Sequence, residues 1–210
     1  MLVTKIEPQK HHKNRSSVYL DGAFAFGISN FDLFTFHLKE GTEITAEEFE
    51  KIKETALAQD ARQYALRLLD ARAYTEKALI KKLEERGTEP EIIEKTVLFL
   101  KEYAYLDDAA YAARYVQAAV RQGKSGRRKI YYDLIEKGIA KELTEEAVNS
   151  ADLCEEENVL PILEKRLKGD FSFNTIMKAK RYLLSRGFSY EAIDRAIRQL
   201  TKNEEEWFDA

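Results

Sequence analysis

The chain has 210 residues, 44% hydrophobic and 34% charged, with 34 basic and 37 acidic side chains, nine Gly and three Pro. This is enough for one or two packed cores and excludes a disordered chain, and no apolar run approaches the ~18 residues of a membrane span. The lone Cys154 cannot form an internal disulfide and no signal-like segment opens the sequence, so a cytoplasmic protein is expected.

The first elements are β-like. Val18-Tyr19-Leu20 and Ala23-Phe24-Ala25-Phe26 flank Asp21-Gly22, a two-residue hairpin turn. Val3 to Ile6 supplies a third strand, joined by the polar stretch Gln9 to Ser16. Asn30 is expected to cap a short helix carrying Phe31, Leu33, Phe34 and Phe36. The next helix starts at a capping box formed by Thr45 and Glu48.

From residue 46 onward the apolar spacing is helical throughout, as in Tyr111/Tyr115/Val116/Val120, Ile130/Leu134/Ile135 and Val159/Leu163/Leu167. Thr75 and Asp107 or Asp108 stand at N-cap positions, and Thr88-Glu89-Pro90-Glu91 combines a capping box with Pro in the first turn. Gly87, Gly138 and Gly187 fall where helices should end, which suits left-handed C-caps.

Those three glycines lie 51 and 49 residues apart and share their surroundings. Each has Leu four places before it (Leu83, Leu134, Leu183) and Lys or Arg directly before it. Each has Glu four places after it (Glu91, Glu142, Glu191) and Val or Ile ten places after it (Val97, Val148, Ile197). A unit of this length marks a stacked repeat that offers its surface to another macromolecule. The expected layout is a β-hairpin module with a short helix over 1–45, three-helix repeats over 46–103, 104–152 and 153–202, and an acidic tail over 203–210. Each triplet reads as too small to bury its apolar faces alone, so the stack should form the core.

Charge is blocked along the chain. Arg121, Lys124, Arg127, Arg128 and Lys129 form a run without an acid, and Lys178, Lys180, Arg181 and Arg186 form another. Between them, 142–157 holds seven acids and no cation. Such blocks are either solvated faces or a polarised surface for a charged partner. Cations on the first turn of the helix carrying Ile130 and Leu134 oppose the helix dipole, at ~0.3–1 kcal/mol each. Together with that turn's free N–H groups they read either as a site for a phosphate or a partner's carboxylate, or as Arg127 and Arg128 pairing with nearby acids. Tyr131 falls near the apolar stripe and reads as core, although it and Tyr132 could also stack on bases.

Catalytic signatures are scarce. His11, His12 and His37 lack the i, i+4 spacing of a helical metal site. Cys154 sits among acids, a poor setting for a thiolate, and reads as a buried or half-buried structural residue. Gly123-Lys124-Ser125 imitates the end of a phosphate loop, but the glycine required five places earlier is Ala118. The chain reads as a non-enzyme without cofactor or metal.

With these residues assembled, the sequence resembles the RecX family, bacterial regulators of the RecA recombinase. Ala65-Leu66-Arg67-Leu68-Leu69 with Arg72, Thr75, Leu79, Leu83 and Arg86-Gly87 resembles the family's first helical repeat. Leu106-Asp107-Asp108, Tyr111-Ala112, Tyr115-Val116 and Lys129 through Ile139 resemble the second, and Lys180-Arg181-Tyr182-Leu183 with Arg186-Gly187-Phe188 and Glu191 the third. Thr4-Lys5-Ile6-Glu7, Arg15 and Val18 to Gly22 resemble the hairpin extension of longer members. The resemblance implies a mainly α fold of stacked three-helix repeats in an elongated, curved body. It also implies a cytoplasmic, non-enzymatic monomer that binds the groove of the RecA–DNA filament and inhibits ATPase, strand exchange and filament growth in recombination and the SOS response. The alternative is a general DNA-binding repeat protein without recombinase specificity. On either reading Lys124, Arg127, Arg128, Lys129, Lys178, Lys180 and Arg181 are the candidate contacts, to phosphates of single-stranded DNA or to recombinase acids. The chain departs from some longer relatives in ending with an acidic tail instead of another repeat, and in having Gly126 near a position where some have Pro.

Overall fold

The computed structural model describes residues 1–10 and 12–208. It contains three strands, β1 (Val3–Gln9), β2 (His12–Leu20) and β3 (Ala23–Ser29). The helices are α1 (Asn30–Thr35), α2 (Ala46–Ala71), α3 (Glu76–Glu85), α4 (Pro90–Glu102), α5 (Asp108–Gln122), α6 (Arg127–Glu136), α7 (Lys141–Asn149), α8 (Glu155–Leu167), α9 (Phe173–Ser185) and α10 (Tyr190–Phe208). Two compact units are formed, one from residues 1–74 and 79–106, the other from residues 75–78 and 107–210.

In the first unit the strands make an antiparallel meander in the order β1-β2-β3. Asp21 and Gly22 both have positive φ, 49° and 88°, as a type I′ turn demands. From His12 onward the polar stretch is strand and not the expected loop. β2 begins at His12, because Ser16 and Ser17 pair with Pro8 and Glu7 and so satisfy their backbone in the ladder. Ser29, not Asn30, caps α1, accepting from the Asp32 N–H at 3.0 Å. Val3, Val18, Leu20, Phe26 and Ile28 pack on Ile52 and Ala56 of α2, which gives the sheet the apolar cover it needs. Buried Arg15 on β2 reaches Asp60 of α2 at 3.6 Å, and Asp60 also pairs with Arg86 at 2.7 Å.

α2 starts at the Thr45/Glu48 capping box, as expected. Its first half covers the sheet, while Ala58, Ala61 and Ala65 join Leu79, Leu83, Ile92, Val97 and Leu100 in the cluster shared with α3 and α4. α4 begins at Pro90 after Glu89, whose side chain makes no cap bond, so the box expected at Thr88 does not form.

In the second unit, α5–α7 enclose Ala112, Val116, Ile130, Leu134, Ile139 and Val148. α8–α10 enclose Val159, Leu163, Leu183, Phe188, Ile193 and Ile197. Each triplet thus closes its own cluster, contrary to the expectation that only the stack could do so. Three helices meeting at Leu, Ile and Val positions bury enough side chain per triplet. Asp107 caps α5 through the Ala110 N–H. Cys154 is exposed, not buried, because it precedes α8 and faces away from that triplet's stripe. The expected acidic tail is an extension of α10 as far as Phe208, and residues 209–210 lie outside the described residues.

The three repeat glycines terminate α3, α6 and α9 in the left-handed region, with φ of 81°, 91° and 79°. Each end is a Schellman motif. Gly87 N–H donates to the Glu84 carbonyl and Thr88 N–H to that of Leu83; Gly138/Ile139 and Gly187/Phe188 repeat the pattern.

A junction is also repeated within the second unit. The Glu76 N–H donates to the Asp108 carboxylate at 2.9 Å, and the Arg127 N–H donates to Glu155 at 2.7 Å. Asp108 and Glu155 each open the first helix of a triplet, and each holds the start of the preceding triplet's second helix. The Thr75 hydroxyl donates to the Lys137 carbonyl and the Gly126 N–H to that of Arg186, the residues directly before two of the cap glycines. A Cβ at Gly138 would lie 2.4 Å from Lys77, and one at Gly187 would lie 2.2 Å from the backbone nitrogen of Lys129. Gly87 has nothing within 4 Å of that position. Glu155 also accepts the Ser189 N–H at 2.9 Å, so one carboxylate holds the starts of α6 and α10. Glu155→Ala should cost ~2 kcal/mol, a hydrogen bond to an ionised acceptor being worth ~1.5–3. Chemical denaturation measures this, and a loss under ~0.5 kcal/mol would mean the carboxylate is dispensable.

Candidate functional site

The seven cations singled out in the sequence divide according to what their side chains already hold. Arg127 donates through Nη1 to the Val148 carbonyl at 2.7 Å, closing the end of α7, and its N–H is taken by Glu155. Lys129 pairs with Asp133 at 2.8 Å. Asp133 also accepts from the Tyr115 hydroxyl at 2.9 Å; burial first, and that bond second, push Tyr115 up to about 12. Lys180 pairs with Asp194 and lies 5.3 Å from the ring centre of Tyr190. These three are engaged in building the second unit.

Lys124, Arg128, Lys178 and Arg181 are exposed, and none has a carboxylate partner among the described residues. The first turn of α6 is not an open anion site, which corrects the expectation drawn from its basic sequence. Two of its N–H donors are taken, that of Arg127 by Glu155 and that of Arg128 by the Gly187 carbonyl at 3.3 Å. An internal carboxylate therefore offsets the cations crowded on that helix start. Tyr131 packs against the second triplet's cluster, while Tyr132 is exposed.

A second concentration of charge was not chosen from the sequence. The end of α5, the middle and end of α8, and the end of α9 border a cleft of about 630 Å³. Five cations line it (Arg121, Lys124, Lys165, Arg166 and Arg186), and among the described residues no carboxylate does. Only Lys124 was among the expected contacts. Gly123, left-handed at φ 60°, ends α5 beside Asn158 of α8, whose amide oxygen would lie 2.6 Å from a Cβ there. Side-chain bulk at that glycine would fill the cleft wall.

Tyr182 organises the opposite wall. The Arg166 guanidinium lies 3.3 Å from its ring centre, and Arg186 Nε donates to its hydroxyl at 3.2 Å. The two guanidiniums hold the Tyr182 phenol below its ordinary value. None of the five cations forms an ion pair within the chain among the described residues. Sequence reasoning passed over Lys165 and Arg166 because each reads as an ordinary helix-end cation, and it placed Arg121 and Arg186 in basic runs without choosing them as contacts. The available signal was Lys165 and Arg166 in the last turn of α8 and Arg186 directly after α9, which does not say that the ends converge. No group of three or more His, Cys, Asp or Glu able to hold a metal occurs among the described residues, and none of the helices searched is long and apolar enough to cross a membrane.

Comparison with known proteins agrees with this architecture segment by segment. Residues 1–45 match the regulatory protein RecX N-terminal domain, and residues 61–100, 107–148 and 155–197 match its first, second and third three-helix domains. A regulatory protein RecX of Caldanaerobacter subterraneus subsp. tengcongensis is 34% identical over 94% of this chain and 98% of its own. One from Clostridium perfringens strain SM101 is 33% identical over 96% and 97%. A crystal structure of regulatory protein RecX superposes with a TM-score of 0.73 at 28% identity, covering 92% of this chain and 97% of that one. The three triplets, the N-terminal sheet and these matches along nearly the whole chain lead to one conclusion: the chain belongs to the RecX family of regulatory proteins.

Proposed function

We propose that this chain is a non-catalytic regulator that binds the filament formed by RecA on single-stranded DNA and restrains its ATPase, strand exchange and growth during recombination and the SOS response. It acts as a monomer in the cytoplasm, without cofactor and with no membrane partner. The observation that carries the reading is the set of exposed cations without carboxylate partners among the described residues (Lys124, Arg128, Lys178 and Arg181) on triplets of a RecX chain. Within the full set of seven contacts, Arg127, Lys129 and Lys180 shape this surface, and those four are free to meet recombinase acids or DNA phosphate. By binding filament arrangements unequally, such a surface shifts the balance between ATPase-competent and blocked or disassembling states.

The test is recombinase ATPase on single-stranded DNA with increasing amounts of this protein. Activity should fall progressively. A triple Arg128→Gln, Lys178→Gln, Arg181→Gln variant should need about tenfold more protein for the same effect, since three exposed ion pairs at ~0.5 kcal/mol each amount to roughly one decade. Unchanged ATPase at saturating wild-type protein would end the regulator reading. Equal binding to DNA with and without recombinase would favour a general DNA-binding protein instead.

A further inference from the structure

We propose that the cleft bordered by α5, α8 and α9 is a phosphate site, taking consecutive phosphodiesters of a single nucleic-acid strand. The inference rests on the filament reading for where that strand is met; it adds a site the reading does not contain and, of that reading's two possible contacts, assigns this site to phosphate.

Helix C-termini attract cations one helix at a time. That accounts for Arg121 at the end of α5 and for Lys165 and Arg166 at the end of α8, taken singly. It does not account for three helix ends meeting around one concavity lined by five cations and, among the described residues, no carboxylate. Unneutralised positive charge in a cleft with low-dielectric walls concentrates an anion of several charges. Of the acids near by in sequence, Glu155 is engaged by the Arg127 and Ser189 N–H groups and Glu156 by Arg195, while Glu157 and Glu164 are not among the residues lining the cleft.

The form of the lining selects among polyanions. Arg166 and Arg186 are held by Tyr182 through the ring face and the hydroxyl, so their planar donor forks are positioned before a ligand arrives. Pro161 and Ile162 give the cleft an apolar wall between its cations. A sugar or base can lie on that wall while phosphates meet the guanidiniums. An acidic peptide run would use the cations and leave the wall idle. A flexible strand can lower successive phosphates into a cleft of about 630 Å³ more readily than a rigid duplex can.

The experiment is fluorescence anisotropy of a labelled oligothymidine with the full-length protein, from about 50 to 200 mM salt. Two variants are compared with wild type: Arg166→Gln/Arg186→Gln, and Lys124→Gln/Lys165→Gln. The second pair is exposed and does not touch the Tyr182 arrangement, so it decides the matter should the first variant unfold. Each pair should weaken binding about tenfold at low salt. Each should also make the slope of log affinity against log salt shallower by about 1.4, the loss of two single-strand phosphate contacts.

Wild-type protein that fails to bind the oligonucleotide overturns the proposal, as do folded variants with unchanged affinity and slope. Competition by polyglutamate as strong as that by unlabelled oligonucleotide would assign the cleft to an acidic protein. Recombinase ATPase separates the two readings. Inhibition that persists while oligonucleotide binding ignores both variants removes the strand site and leaves the regulator. Cleft-dependent oligonucleotide binding with no effect on ATPase does the reverse.

Discussion

Gly187→Ala should destabilise the protein by ~2–5 kcal/mol, whereas Gly87→Ala should cost only ~1–2 kcal/mol. Both glycines end a helix at nearly the same positive φ, 79° and 81°. An L-residue there pays roughly 1–2 kcal/mol for the left-handed backbone, which sets the Gly87 value. At Gly187 the new methyl would also lie 2.2 Å from the nitrogen and 2.8 Å from the Cα of Lys129, and backbone cannot rotate aside as a side chain can. Forced overpacking adds ~1–3 kcal/mol. The damage should be local as well as large, because the turn at Gly187 receives the start of α6 through the Gly126 and Arg128 N–H groups. Denaturant unfolding followed by circular dichroism gives both values. Equal costs at the two positions would mean the close approach at Gly187 is relieved at no cost.

Leu134→Ala should cost ~2–5 kcal/mol, as a fully buried large-to-small change, and Leu183→Ala about the same. The two leucines hold the same place relative to their glycines, but belong to different clusters. Their costs should therefore add within ~0.5 kcal/mol in the double variant, as for residues that share no partners. A coupling above ~1 kcal/mol would show that the two triplets share one core after all. A Leu134 cost below ~1 kcal/mol would contradict its place at the centre of the α5–α7 cluster.

Local chemistry was read well from the sequence where its cause is local. The Asp21-Gly22 turn needs two positive φ values, and these residue types accept them. Thr45 and Glu48 are three residues apart and satisfy each other. The repeat glycines end helices because each of their two hydrogen bonds closes within six residues. The errors near the N-terminus have the opposite cause. The polar run up to Ser16 passes for a loop, yet from His12 onward it belongs to β2, where Ser16 pairs with Pro8 of β1 on one side and Ile28 of β3 on the other.

The candidate site was legible only in its charge. Which cations are free depends mostly on partners far along the chain: the Val148 carbonyl that holds the Arg127 guanidinium lies 21 residues away and Asp194 lies 14 from Lys180, while only Lys129 has a local partner, Asp133. The acidic block 142–157 looked like a solvated face or a steering patch, and one of its members, Glu155, proved to be a clasp between helix starts.

By itself, the sequence determined that this protein is a series of helical triplets behind a small sheet, where its helices stop, and that its charge is sorted into blocks. Those properties follow from periodicity, caps and composition, which act over a few residues. Only the tertiary structure decided that two of the three glycines are also contact points between helices, that α2 serves two cores, and that the ends of α5, α8 and α9 gather five cations in one cleft. Each depends on backbones brought within a few ångströms from distant parts of the chain, and that proximity has no signature in any short window of residues.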